Sequence, residues 1–287
     1  MSATSLPRSY LYVPGSASDK LRRALGRGAD ALILDLEDAV PFLEKVKARE
    51  TVVAWLKVAP TDQTTEIWVR INPGARRLED ATALANIPGL TGLVLAKVEG
   101  TQDVSSVNDL LVHLGDHGTL LMPLIETAGA VLKAAEIAST PRVHQLQIGE
   151  VDLAGETGIE PGDDESELAA IRMMVVLASS AAQINPPVGP VSRITSDLVA
   201  LTASTQRVRR QGFVGRACIH PSQISVVHDV FTPTEAEITE ARSVIEIFGA
   251  VEAQGRGVVL DEVGRLIDVA VLRGAQKILA LAAKSAG

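Results

Sequence analysis

The sequence predicts a (β/α)8 barrel with a C-terminal helical extension. Eight short apolar runs recur along the chain, and Ala- and Leu-rich segments with helical spacing lie between them. Most of the runs are continuous rather than alternating, which is typical of parallel strands covered on both faces. A length of 287 residues suits one such barrel. An open doubly wound sheet is the alternative, but no GxGxxG motif follows the first run.

The strands are predicted, in chain order, at 10–13, 31–36, 66–71, 92–98, 120–125, 144–149, 184–189 and 215–220. Helices are predicted between them, for example over 18–28 and 44–58. Ser18 or Asp19 can cap the first of these, and Gly26 and Gly28 can end it.

The pattern changes after Pro233. Thr234 and the acids that follow resemble a capping box and predict a helix. A short hairpin and a final helix to about residue 283 are predicted beyond it. We therefore expect a barrel domain over 1–232 and an extension over 233–287. This extension either packs on its own barrel or contributes to a neighbouring subunit's site.

Composition excludes several classes of function. The formal net charge is −8 and no basic stripe is present, which argues against nucleic acid as the main partner. Cys218 is the single cysteine, so no internal disulfide can form and a reducing compartment is expected. No segment has the length and apolarity of a membrane span or a secretory leader. The expectation is a soluble, cytoplasmic protein.

Two acids follow predicted strands: Glu126 in LIETAGAV and Asp152 in IGEVDLAG. Catalytic groups of barrel enzymes lie at the carboxyl ends of the strands, so both acids are expected at one mouth. A pair of carboxylates suits a hard cation such as Mg²⁺, which keeps water and substrate oxygens as its other ligands.

A second acidic group, Asp35, Glu37 and Asp38, ends the second strand. Either Asp35 or Asp38 caps a helix and Glu37 is solvated, or at least one of them supports metal-bound water. Arg70 ends the third strand, where an unpaired charge is costly. It is expected to pair with Glu37 or Asp38, to grip a substrate carboxylate, or to do both.

Three further features carry weaker signals. Lys97 and Glu99 follow the fourth strand, and Lys97 as a Schiff-base nucleophile is a less economical hypothesis than a metal site.

His113 and His117 have helical spacing, but the intervening Gly115 disfavours a zinc site. His220, after the eighth strand, is either a site residue or a structural hydrogen-bonding group.

Seven segments taken in order resemble the CitE-like branch of the HpcH/HpaI aldolase superfamily, which includes citrate lyase β-subunits and malyl-CoA and citramalyl-CoA lyases. The segments are RSYLYVPGS, ADALILDLEDAV, VRINP, LVLAKVE, LIETAGAV, IGEVDLAGETG and GFVGRACIHPSQI. The resemblance covers nearly the whole chain, and the family's (β/α)8 fold agrees with the strand count.

The resemblance implies a role for each matching residue. Glu126 and Asp152 would ligate Mg²⁺, and Arg70 would bind the 2-oxo acid. Glu37 and Asp38 would hold Arg70 and the metal-bound water. Basic residues would meet the phosphates or pantetheine arm of CoA; these are Arg8, Lys20 and Lys97.

In longer family members a tail segment resembling LDGKMIDMP carries an acid/base aspartate into the neighbouring subunit's site. The corresponding stretch here is VVLDEVGRLIDVAV, which makes Asp268 the candidate. Two departures affect this assignment: extra residues separate Asp261 from Gly264, and Val269 and Ala270 replace Met-Pro.

The resemblance thus implies a Mg²⁺-dependent lyase that cleaves a β-hydroxyacyl-CoA into an acyl-CoA and a 2-oxo acid, working as a homotrimer or homohexamer. Two different functions remain open. One is that of an HpcH-like class II aldolase acting without CoA, and the second is that of a non-catalytic accessory subunit of a lyase complex.

Overall fold

The structure is a computed structural model that describes residues 6–61, 64–252, 257–261 and 263–285. The chain divides into two compact units, residues 7–228 and residues 229–287 with 1–6. Each is described by itself.

The first unit contains a closed barrel of eight parallel strands. These strands are β1 Ser9–Pro14, β2 Ala31–Asp35, β3 Glu66–Ile71, β4 Gly92–Leu95, β5 Leu120–Ile125, β6 Gln145–Ile148, β7 Asn185–Gly189 and β8 Gly215–Cys218. The predicted barrel and all eight predicted strands are confirmed. The seam closes where β1 pairs with β8, with Ser9 opposite Arg216 and Tyr10 opposite Ala217.

Helices connect successive strands, as a parallel barrel requires. They are α1 Ser18–Arg23, α2 Lys45–Leu56, α3 Ala75–Leu84, α4 Thr101–His113, α5 Ala128–Leu132, α6 Ala134–Ala138, α7 Glu150–Thr157, α8 Ala169–Ala181 and α9 Leu198–Arg210, and α10 Ile224–Phe231 follows β8. α6 and α8 pack together, as do α3 and α4.

Alternate residues of the strands fill the barrel interior, because side chains one residue apart point to opposite faces of a sheet. This interior cluster contains Tyr10, Ala31, Ile33, Trp68, Val94, Met122, Leu124, Val188 and Ala217. Gly92 is required beside Trp68, since a Cβ there would lie 2.5 Å from the indole ring and 2.5 Å from the Leu120 carbonyl oxygen.

The predicted cap of α1 is wrong. The helix begins after Ala17, and neither Ser18 nor Asp19 acts as its N-cap. Asp19 instead pairs with Arg23 one turn later, at 2.7 Å. The helix also ends at Arg23, and Gly28, with a φ of 78°, terminates the short 3-10 turn Leu25–Arg27 that follows.

The second unit contains α11 Glu235–Glu252, a hairpin of β9 Val259–Leu260 and β10 Leu266–Ile267, and α12 Val269–Ser285. The predicted capping box is present: Thr234 Oγ1 accepts the Glu237 N–H at 3.2 Å, and the Glu237 carboxylate accepts the Thr234 N–H at 2.8 Å. α11 and α12 pack against each other. Among the helices of the described residues, none is long and apolar enough to cross a bilayer.

Candidate active site

The carboxyl ends of the barrel strands surround a cavity of about 830 Å³. Its lining includes Tyr12, Arg70, Glu126, Gln147 and Asp152, which come from β1, β3, β5, β6 and α7 or directly follow those strands. Side chains that are far apart in the sequence therefore meet at one mouth, as the barrel geometry predicts.

Glu126 and Asp152 form a carboxylate pair with Lys97 between them. The Lys97 Nζ lies 2.8 Å from Asp152 and 3.5 Å from Glu126. The backbone N–H of Lys97 also donates to Glu126, at 2.6 Å. The Glu126 side chain is 1% exposed, whereas that of Asp152, in the first turn of α7, is 43% exposed. One acid is thus fixed in the wall of the cavity and the other faces its opening.

The two carboxyl groups have opposite pKa shifts. Burial raises the pKa of Glu126 to about 8, in spite of the Lys97 backbone N–H and ammonium group. Burial also acts to raise the pKa of Asp152, but hydrogen bonds from Lys97 and Glu126 outweigh it, and the pKa lies below its ordinary value. The pair therefore shares a proton more readily than it carries two negative charges.

Close packing holds Glu126 in place. A Cβ at Gly149, which directly follows β6, would lie 2.6 Å from Glu126 Cβ and 3.0 Å from Glu126 Oε2. Only glycine leaves the carboxylate enough room at this position.

Arg70 is held by three acids. Asp35 makes a bidentate pair with it, Oδ1 to Nε and Oδ2 to Nη2, each at 2.7 Å. Nη1 lies 3.0 Å from Glu37 and 3.4 Å from Asp38. The predicted pairing with Glu37 and Asp38 is present, but the shortest contacts are with Asp35, which the sequence suggested as a helix cap or a support for metal-bound water and not as a partner of Arg70.

The predicted helix cap is absent, because the next helical element, Phe42–Glu44, begins after Pro41, but Asp35 also accepts the backbone N–H groups of Glu37 and Ala39 at 2.9 and 3.1 Å. The strand register provides the reason for the pairing with Arg70: Asp35 and Arg70 are direct neighbours across β2 and β3. Glu37 is buried rather than solvated, and burial raises its pKa to about 7 even with Arg70 beside it. Asp38 is mostly exposed.

Tyr12 and Gln147 also line the cavity, and neither was among the site residues predicted from the sequence. The Tyr12 ring lies 5.0 Å from the guanidinium carbon of Arg70, within cation–π range. Gln147 donates from Nε2 to the Tyr12 hydroxyl at 3.0 Å. The sequence did contain a signal for them. Tyr10 and Tyr12 are two residues apart in β1, and Gln145 and Gln147 are two residues apart in β6, so each pair points to the same face of the sheet.

Several basic side chains line the cavity. Lys20, which was predicted, lines it together with Arg23, Arg27 and Arg193. Arg8 is absent from this lining. It precedes β1 and pairs with Asp30, which precedes β2, at 2.9 Å. Arg8 therefore lies at the amino ends of the strands, away from the carboxylate pair.

His220 lines the cavity and also has a structural role, since its Nδ1 lies 2.8 Å from Ser222 Oγ and caps the turn Pro221–Gln223. Asp268 lies in the second unit, where it precedes α12. Its Oδ1 accepts the N–H groups of Ala270 and Val271 at 2.9 and 3.0 Å. It therefore caps that helix.

The carboxylate pair fits a hard divalent cation. Its donors are carboxylate oxygens, which Mg²⁺ prefers. Burial raises the pKa of Glu126, so a cation bound beside the pair would favour its charged form. Within the described residues, no group of three or more His, Cys, Asp and Glu side chains could hold a metal ion. Two protein ligands leave the remaining positions to water and substrate, as is usual for Mg²⁺.

Comparison with known proteins gives consistent results. Residues 8–221 match the model of the HpcH/HpaI aldolase/citrate lyase family. A (3S)-malyl-CoA thioesterase of Cereibacter sphaeroides is 34% identical over 277 residues, covering 96% of this chain and 94% of that protein. An L-malyl-CoA/beta-methylmalyl-CoA lyase of the same species is 27% identical, covering 95% of this chain and 93% of that protein.

The crystal structure of CitE from Mycobacterium tuberculosis in complex with magnesium, acetoacetate and coenzyme A superimposes with a TM-score of 0.80 at 26% identity. The match covers 98% of this chain and 99% of that one. Fold and sequence agree, and the chain belongs to the HpcH/HpaI aldolase/citrate lyase family.

Proposed function

We propose that this protein is a Mg²⁺-dependent carbon–carbon lyase that cleaves a β-hydroxyacyl-CoA of the malyl-, citramalyl- or citryl-CoA type into an acyl-CoA and a 2-oxo acid. The observation that carries the proposal is that the Glu126–Asp152 pair and Arg70 line one cavity, which basic side chains also line. The CitE structure with magnesium, acetoacetate and coenzyme A supports the choice of metal and of ligand class.

Glu126 and Asp152 would hold the Mg²⁺. When bound, the ion supplies Lewis acidity toward the carboxylate and hydroxyl oxygens of the acid being released. The donation of the Lys97 N–H to Glu126 keeps that carboxylate oriented. We propose that Lys97 acts here, through its contacts with the two acids, rather than at the phosphates of CoA.

Arg70 would bind the developing 2-oxo acid. Its guanidinium is fixed on one edge by Asp35, and Glu37 and Asp38 limit the rotation of the other edge. A guanidinium held in this way stabilises negative charge on an oxygen without first having to reorganise. Tyr12 supports it from one face.

Cleavage also requires a group that removes the hydroxyl proton and an acid that protonates the acyl-CoA enolate. We propose Asp268 for the acid/base role, on the basis of the family resemblance of its segment. Lys20, Arg23 and Arg27 provide positive charge for the phosphates of CoA.

A second reaction, hydrolysis of the malyl-CoA thioester, is supported by the 34% identity to a (3S)-malyl-CoA thioesterase. Lyase action releases a 2-oxo acid and leaves the thioester intact, whereas hydrolysis releases a free thiol. The two reactions are therefore separable in one assay.

The test is an assay on malyl-, citramalyl- and citryl-CoA that follows 2-oxo acid and free thiol in parallel, with and without EDTA. We expect 2-oxo acid from at least one substrate, lost with EDTA and in the variants Glu126→Gln and Asp152→Asn. Glu136→Gln, an exposed change on α6, is the control and should retain full activity. Thiol without oxo acid would make the protein a thioesterase.

Two outcomes would favour a different function. Cleavage of a free hydroxy-oxo acid, with no action on the three thioesters, would indicate a CoA-independent aldolase. If the protein acts on none of these substrates and co-purifies with an acyl-carrier or transferase protein, it would be an accessory subunit.

A further inference from the structure

Two Tyr–Gln pairs cross the barrel interior, one above the other. Tyr10 and Tyr12 alternate on β1, and Gln145 and Gln147 alternate on β6, so all four side chains point inward. In the lower pair both ends of the Gln145 amide contact the Tyr10 hydroxyl, Oε1 at 3.3 Å and Nε2 at 3.1 Å. Tyr10 and Gln145 are completely buried, so this pair belongs to the core.

The upper pair is only half satisfied. Gln147 Nε2 donates to the Tyr12 hydroxyl at 3.0 Å, but Gln147 Oε1 is buried and has no hydrogen-bond partner in the described part of the chain. Gln147 is 1% exposed. A buried amide end without a partner costs free energy, and such groups are rare in native structures. Its retention requires an explanation.

The position of Gln147 provides one. Tyr12 and Gln147 line the same cavity as Arg70, Glu126 and Asp152, whereas Tyr10 and Gln145 do not. A tyrosine hydroxyl both donates and accepts, so it can satisfy either end of the amide, and rotation of the amide by 180° exchanges the two ends. In either orientation, one end of the Gln147 amide remains available.

We propose that Gln147 is a substrate-binding residue, and that its carboxamide hydrogen-bonds an oxygen of the 2-oxo acid beside Arg70. This inference rests on the proposed function and adds a residue that the family resemblance did not supply. Because the oxygens of a 2-oxo acid are acceptors, the amide N–H₂ would face the ligand, and Oε1 would then accept the Tyr12 O–H. Every polar group of the upper pair is satisfied in that arrangement.

The variant Gln147→Met tests the proposal, because methionine has nearly the same length and removes the amide. The matched control is Gln145→Met, the same change one layer below. For each protein the melting temperature is measured, and glyoxylate, pyruvate and oxaloacetate are titrated in the presence of Mg²⁺ by calorimetry.

We expect Gln147→Met to melt near the wild-type temperature, because removal of the unpaired Oε1 offsets the loss of the Nε2 hydrogen bond to Tyr12, which is only partly buried. Its affinity for the bound oxo acid should fall about three- to tenfold, the effect of one lost hydrogen bond. Gln145→Met should show the reverse, with a lower melting temperature because Tyr10 loses its partner, and an oxo-acid affinity near that of the wild type.

Equal oxo-acid affinity in Gln147→Met and wild type would overturn the inference and leave the proposed function standing. A fall in melting temperature as large as that of Gln145→Met would also overturn it, because Gln147 would then be a core residue. If the wild type binds none of the three acids, the proposed function fails, and the inference fails with it.

Discussion

Lys97 has a φ of 50°, in the left-handed region that residues with a side chain seldom adopt. This conformation directs its backbone N–H to Glu126 while its ammonium group reaches Asp152. Glycine would relieve the backbone strain, but it would remove the second contact. Strain of this kind persists where the surrounding structure enforces it, and it often marks a functional site.

Gly149 leaves no room for a side chain beside Glu126. Gly149→Ala should destabilise the fold by about 1–3 kcal/mol, because its Cβ would displace Glu126. It should also weaken Mg²⁺ binding, measured by calorimetry alongside urea denaturation. Gly155→Ala, in α7, is the matched control: a Cβ there meets nothing within 4 Å, and alanine should stabilise the helix by about 0.5–1 kcal/mol. Equal stability of the two variants would contradict the packing argument.

The buried carboxyl group of Glu37 should make the free energy of unfolding depend on pH. Its pKa is raised to about 7 by burial, so between its ordinary pKa and pH 7 the folded state binds more protons than the unfolded state. Its contribution to stability is therefore complete at low pH and is lost as the pH rises through 7. The free energy of unfolding should fall by about 1–3 kcal/mol more between pH 5 and 8 in the wild type than in Glu37→Gln.

Urea denaturation at several pH values measures this difference, and Glu136→Gln should keep the wild-type slope. The assignment to Glu37 is contradicted if the Glu37→Gln variant shows an unchanged slope.

At the residue scale, the sequence allowed Glu126, Asp152 and Arg70 to be predicted at one mouth, because each follows or ends a parallel strand. It did not reveal that Asp35 is the main partner of Arg70, since that depends on the register between β2 and β3. The pairing of Lys97 with the two carboxylates depends on its left-handed backbone conformation, which a lysine in the sequence does not predict.

At the scale of elements, α7 carries Asp152 and is held by a buried ion pair. Glu150, in the first turn of α7, makes two contacts with Arg172 of α8, at 2.5 and 2.8 Å. Arg172 also contacts Glu165 at 2.8 Å. This network fixes the position of the helix start, and with it the position of Asp152.

Asp268 caps α12 from the position before the helix, and this capping role can be separated from the proposed chemical role. Asparagine caps a helix about as well as aspartate does, but it cannot exchange a proton. Asp268→Asn should therefore melt near the wild-type temperature and lose roughly 100-fold or more in turnover. Asp268→Ala should in addition lose about 1 kcal/mol of stability. Normal turnover by Asp268→Asn would remove this residue from the mechanism.

The elements themselves were predictable to different degrees. Continuous apolar runs located all eight barrel strands, and the Thr234–Glu237 capping box located the start of α11. The start of α1 was not predictable from its capping residues, because Asp19 takes Arg23 as its partner instead of the backbone.

At the scale of the whole molecule, the family resemblance leads us to propose a homotrimer or homohexamer in which Asp268 serves a neighbouring chain. Mixing Glu126→Gln with Asp268→Asn after dissociation tests this arrangement. Turnover should reappear in the mixture, because an intact barrel can then meet an intact Asp268 from another chain. Light scattering gives the mass of the oligomer.

If Asp268 acts within its own chain, no mixed oligomer contains a complete site, and the mixture stays as inactive as its components. As a control, each variant is dissociated and reassembled alone, which measures any activity that the procedure itself restores.

The barrel as a whole was predictable because its signal repeats eight times, so that an error in one strand hardly affects the conclusion. Oligomer number has no such repeated signal. The identity of the oxo acid depends on the shape of one cavity, which few residues determine.

The pairing of Ser9 with Arg216 has a consequence for biosynthesis. More than two hundred residues separate the two strands of the seam, so the ribosome must complete almost the whole barrel before its last hydrogen-bonded ladder can form. Until then β1 and β7 each present an open edge, which invites pairing with other nascent chains. Translation speed over the segment before Gly215 is therefore expected to influence how much of the newly made protein escapes aggregation.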